Sequence, residues 1–145
     1  MCDYSLHGIA SRPAKVSDKL VTTEFRDTLT RGFSAVGARD VAVCLLPGTE
    51  LAFDREVQRQ YVWLQTLLFK KERWNTGHRV GRFRQINLDN PATHHDAIEF
   101  PDGQIVMLTG LRRGQHATVL QLPARERPPV AQEAQERRAN PAPAR

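Results

Sequence analysis

The chain has only two cysteines, Cys2 and Cys44, in 145 residues. Two thiols are too few for the disulfide framework of a small secreted domain, and a reducing compartment is the expectation. No apolar run approaches the ~18–20 residues needed to span a bilayer. The start, Met1-Cys2-Asp3-Tyr4-Ser5-Leu6-His7, has no basic segment leading into an apolar one, so export is not expected and the cytoplasm is the predicted location. The sequence also lacks CxxC, HxxxH and G-x-S-x-G, and it carries no P-loop, RNP or zinc-finger pattern. Each absence removes a ready-made chemistry: a zinc knuckle, a helical zinc pair, a hydrolase elbow, a nucleotide cradle.

What is present fits one ordinary globular domain. Apolar residues make up 40% and charged residues 26%, within the usual range for soluble folds. From Ala124 the chain reads ARERPPVAQEAQERRANPAPAR, with four prolines and a single β-branched residue, Val130. Such a stretch buries too little apolar surface to offset its ordering entropy. The predicted division is therefore a β-rich domain over 1–123 and a disordered tail over 124–145.

Short strands dominate that domain. Lys19–Phe25 is rich in β-branched residues, and Gly32–Val36 with Val41–Leu46 reads as a hairpin around Gly37-Ala38-Arg39-Asp40. Pro47-Gly48 breaks the chain before a strand over Glu50–Phe53. Val80–Leu88 alternates imperfectly, which predicts a bulge near Gly81. Ala97–Phe100, Gln104–Thr109 and His116–Leu122 are predicted to form a meander, turning at Pro101-Asp102-Gly103 and Arg112-Arg113-Gly114-Gln115. One helix is predicted between the two β regions, capped by Asp54, with Val57, Tyr61, Leu64 and Leu68 at helical spacing and Asn75-Thr76-Gly77 as its stop. The β-branched and aromatic run from Tyr61 to Leu64 leaves strand open there. The expected fold is α+β but mainly β, a small antiparallel barrel or a sandwich-like domain.

Three constellations could carry function. The first is a metal set of Cys2, His7, Cys44, His94 and His95, whose thiolate and imidazole donors suit zinc or copper. Asp96, next to the histidine pair, would orient a ligating ring. Adjacent histidines on extended chain face opposite ways, so the set exists only if the fold gathers it. The second is the net charge of +5 and a pI near 9.8, concentrated in Lys70, Lys71, Arg73, Arg79, Arg82 and Arg84 against the single acid Glu72. Trp63, Phe69, Trp74 and Phe83 interleave with these cations, the combination that single-stranded nucleic acid requires. The bland alternative is a core stripe with a solvated helix end. The third is Cys2 itself. If Met1 is removed, its thiol and α-amino group form the nucleophile and base of an N-terminal-nucleophile amidohydrolase. Class II glutamine amidotransferases begin with Met-Cys, but Asp3-Tyr4 departs from their usual start and their fold needs a longer chain.

Three blocks also carry a family likeness: MCDYSLHGIASRPAKVSDKLVTTEF, TRGFSAVGARDVAVCLLPGTELAF and RFRQINLDNPATHHDAIEFPDGQIVMLTGLRRGQHATVLQLP. In these the chain resembles a group of small uncharacterised alphaproteobacterial proteins that begin MCDYSLH. The resemblance covers nearly all of residues 1–123, and residues 55–78 share it least. It implies a bacterial cytosolic origin and a boundary at Pro123, and it assigns no catalytic residue. The sequence thus predicts an accessory or binding protein, with metal through Cys and His as the first reading. A nucleic-acid module over 70–84 and a small thiol enzyme at Cys2 are the alternatives.

Overall fold

The computed structural model describes residues 8–26, 31–60 and 75–124. Nine strands follow in chain order: β1 (Ser11–Pro13), β2 (Lys19–Glu24), β3 (Arg31–Ala35), β4 (Ala38–Cys44), β5 (Glu50–Phe53), β6 (Val80–Gln85), β7 (Asp96–Glu99), β8 (Ile105–Met107) and β9 (His116–Gln121). They form one sheet in the order β1-β4-β3-β2-β9-β5-β6-β7-β8. β1 runs parallel to β4, and every other pairing is antiparallel. The domain is mainly β, as the pattern of short strands and turns predicts. Among the described residues no helix is long and apolar enough to cross a membrane.

Alternation within the strands explains the packing. In β2, β3, β4, β5, β6 and β9 the residues Leu20, Phe33, Val43, Leu51, Phe83 and Val119 share one face and join a single buried cluster. Val57, Ile98, Val106, Leu108 and Leu111 are among its other members. One face of a nine-stranded sheet can enclose a common core only if the sheet curls over on itself. Its edges, β1 and β8, do not pair, so it stays open and sandwich-like. The outer face of β4 carries a second, smaller cluster, with Phe25 and Ala42 packed by Ile9 and Cys44.

Several local predictions stand close to what is seen. The hairpin of β3 and β4 forms, though its turn is tighter because β4 already begins at Ala38. The Pro101-Asp102-Gly103 turn is closed by the Gly103 amide donating to Phe100 O at 2.9 Å, with Gly103 at φ +84°. Asp102 Oδ1 accepts from the Gln104 amide at 3.0 Å, an aspartate bonding two residues onward as such turns favour.

Three predictions are corrected. β9 does not follow β8 in a meander. It inserts between β2 and β5, pairing Lys19 with Thr118 on one side and Ala52 with Thr118 on the other. Ala117 and Val119 have to reach the common core, and the strand alternation delivers them there from the centre of the sheet. Gly81 makes no bulge: it pairs in register with Leu51 and occupies an inward position, where Ile98 and Phe100 leave no room for a side chain. The predicted helix fails over its first turns, since residues 54–60 form a bend followed by isolated bridges of Gln58 to Asn75 and Arg59 to Leu111, with no helical turn. Val57 is buried in the core from that segment, so its spacing from Tyr61 was not a helical signal. Residues 61–74, with the rest of that prediction, lie outside the described residues, as does the predicted tail beyond Ala124.

Candidate functional site

The metal set is only partly within the described residues, because Cys2 and His7 lie outside them. Cys44 is half-buried at the end of β4 and disulfide-bonded. A cystine sulfur is not the thiolate that zinc or copper binds. His94 is exposed in the loop between β6 and β7. His95 closes that loop locally: its Nδ1 lies 2.9 Å from Ile86 O, and its own carbonyl accepts from the Ile86 amide at 2.8 Å. Among the described residues no three His, Cys, Asp or Glu side chains come together to hold a metal.

Of the basic stretch, Arg79, Arg82 and Arg84 are described and exposed. Lys70, Lys71 and Arg73 lie outside the described residues. Strand register sets the surroundings of the three. Arg82 is directly opposite Glu50 on β5 and donates to its carboxylate at 2.9 Å. Arg84 pairs with Glu99 on β7. Arg79 donates to the main-chain carbonyl of Asp54. Cross-strand acids therefore pair both β6 cations, and among the described residues these two contribute little uncompensated charge. The sequence places Glu50 and Glu99 far from β6, so only the pairing reveals the cancellation.

A different feature stands out where the open sheet fails to close. A cavity of about 400 Å³ lies between the β1–β4 side and the β6–β7 side. Its apolar walls come from Phe33, Val43, Leu45, Leu46, Phe83 and Leu108. Leu46 forms the rim and is 60% exposed. The rim is held in shape by Thr49, whose amide and hydroxyl both donate to Leu46 O, at 3.0 and 2.7 Å. Main-chain bonds from Gly48 N to Phe83 O and from Phe83 N to Thr49 O, each 2.8 Å, tie that turn to β6.

The polar groups of this seam cavity sit on opposite walls. On β1, Arg12 forks onto Asp18, with Nη1 to Oδ2 at 2.8 Å and Nη2 to Oδ1 at 3.2 Å. That contact, helped by the Lys15 amide, holds the Asp18 carboxyl below its ordinary range against the opposing effect of burial. On the other wall Gln85 Nε2 donates to Asp96 Oδ1 at 3.3 Å. Cys44 and Asp96, both singled out in the sequence, line this same cavity. The others that shape it, Leu46, Gln85 and Arg12, gave no signal in the sequence, because they meet only when β4 and β6 are brought together by the curl.

Two further links were not legible from spacing. His78 Nε2 lies 2.9 Å from Asp102 Oδ2, and its ring stacks on Phe100 with centroids 5.6 Å apart. The Gln104 amide, and after it His78, hold the Asp102 carboxyl below its usual range. Gln115 acts as a side-chain strand: its Oε1 accepts from the Gln58 amide at 2.7 Å and its Nε2 donates to Gln58 O at 2.9 Å. Comparison with protein-family models, curated proteins and solved structures finds no match for this chain.

Proposed function

We propose that the protein is a small binding protein whose ligand is a compact, mainly apolar molecule held in the seam cavity. The observation that carries this reading is the cavity itself. Its volume falls in the range of small-molecule sites, and its composition, apolar walls with a few placed polar groups, is the one such sites share. Apolar area removed from water would supply the affinity, at about 25 cal/mol per Å². The amide of Gln85 and the carboxylate of Asp96 would select an uncharged amide or hydroxyl end. The exposed Leu46 side chain on the rim is an apolar surface that a ligand would cover.

The test uses octanamide as probe, with chemical shifts of the isotope-labelled full chain as readout. Saturable shifts should centre on Leu46, Phe83 and Gln85. Leu46→Asp puts a charge on the rim at an exposed position, and it should weaken binding by about tenfold or more while leaving the rest of the spectrum in place. Shifts scattered over the surface, or undiminished binding in the variant, would remove the reading.

A further inference from the structure

A second cleft, of about 650 Å³, opens where residues 8–10 cross the end of β2, beside the start of β4 and the Arg113–Gly114 turn. Three arginines from separate parts of the chain line it: Arg26 just after β2, Arg39 in β4 and Arg113 before β9. All three are exposed. Two acids also reach the lining, Glu24 and Asp40. Glu24 is already engaged twice, by Arg113 at 2.8 Å and by Arg31 at 3.6 Å. Arg31 is itself fixed by donating to Thr109 O at 3.0 Å. Glu24 therefore serves to hold Arg113 in place and has its charge cancelled. Arg26 and Arg39 form no ion pair among the described residues. Beneath them the lining is apolar, with Val21 and Phe25 nearly buried and Ile9 beside them.

We infer that this cleft binds a small organic anion, its carboxylate or phosphate taken by Arg26 and Arg39 and its apolar body resting against Ile9, Val21 and Phe25. A guanidinium presents a planar fork of donors that matches either oxyanion in a bidentate way. One exposed arginine holds an anion weakly in water, because solvation competes with the contact. Two forks with no ion pair among the described residues, set over an apolar floor that adds buried area, overcome that competition against the one opposing charge of Asp40 in the same lining. Among the described residues Arg82 and Arg84 are matched by acids across the strands, whereas Arg26 and Arg39 form no ion pair.

This inference shares no residue with the seam cavity, so each stands or falls alone. Phenyl phosphate and benzoate are titrated at low salt into the labelled full chain and into its R26A/R39A and R82A/R84A variants. At least one probe should bind saturably, with shifts centred on Ile9 and Phe25, and R26A/R39A should weaken it by about tenfold or more. R82A/R84A should leave it unchanged. Stronger binding of phenyl phosphate identifies a phosphate site, and stronger binding of benzoate a carboxylate site. Failure of both probes to saturate overturns the inference, and so does equal affinity in R26A/R39A. If that double variant melts below the assay temperature, the single variants R26Q and R39Q take its place with the same two outcomes.

Discussion

Gly81 illustrates how much a single position in this fold depends on what lies across from it. On β6 it alternates with exposed Val80 and Arg82, so it belongs to the inward face. A Cβ built there would overlap Ile98 Cγ2 and stand 3.2 Å from the Phe100 ring. Ile98 is fully buried and has nowhere to move. Gly81→Ala should therefore lower stability by about 1–3 kcal/mol, the usual cost of overpacking. Ile98→Ala would relieve the overlap, so the double variant should lose less than the two single losses added together. Denaturant unfolding of the four proteins checks this, and strictly additive losses would contradict it. In the sequence the same glycine reads as a bulge, because a glycine inside a strand signals either a bulge or a close approach. Nothing within β6 distinguishes the two.

At the scale of elements, the short edge strand β1 is tied to its neighbours through Asp18. The carboxylate receives Arg12 from β1 and the Lys15 amide from the intervening turn. The Asp18 carbonyl accepts from Val119 N of β9 at 3.0 Å. Because folding depresses the Asp18 pKa, its contribution is present above the unfolded value, about 3.9, and is lost as pH falls through the lower folded value. Asp18→Asn should cost about 1 kcal/mol near neutral pH, since the pair is partly exposed. That gap from the parent protein should shrink below about pH 4 and close in strong acid. Thermal midpoints of both proteins from neutral to acid pH decide it, and a gap independent of pH would refute the assignment. Elements of this kind were partly legible. β5 spans the predicted Glu50–Phe53, and the turn at Asp102 forms as predicted, because each depends on contiguous residues. The segment over residues 54–60 was misread because Val57 is buried from a stretch tied by main-chain bonds to His78 and Thr76 and not by a helical turn.

For the molecule as a whole, the central question is whether the two wings of the sheet behave as one body. Phe33 on β3 and Phe53 on β5 come from different wings, and their rings lie 6.3 Å apart at 50° within the common core. Phe33 is 1% exposed. Phe33→Ala should destabilise by about 3–5 kcal/mol. It should do so without splitting the transition, because β9 binds both wings and the main core is shared between them. Unfolding followed by far-ultraviolet dichroism and by near-ultraviolet aromatic signals should coincide in parent and variant. Two separated transitions would show that the wings fold apart. Both candidate sites also belong to this scale. The seam cavity exists because β1 and β4 face β6 and β7 across the curl, and the arginine cleft exists because separate segments converge beside β2.

By itself the sequence determined that the domain is mainly β, where most of its strands lie and how its sharpest turns are made. β-branched runs and Pro-Asp-Gly impose those choices on their own neighbourhoods. Tertiary structure alone decided that the last strand enters the middle of the sheet, that Glu50 and Glu99 neutralise Arg82 and Arg84, and that Arg26, Arg39 and Arg113 line one cleft. The physical reason is separation along the chain. Lys19 and Thr118 touch across 99 positions, and a pattern confined to neighbouring residues carries no information about such a partner. Burying one shared apolar face chooses that partner, and the cavities and charges follow from the choice.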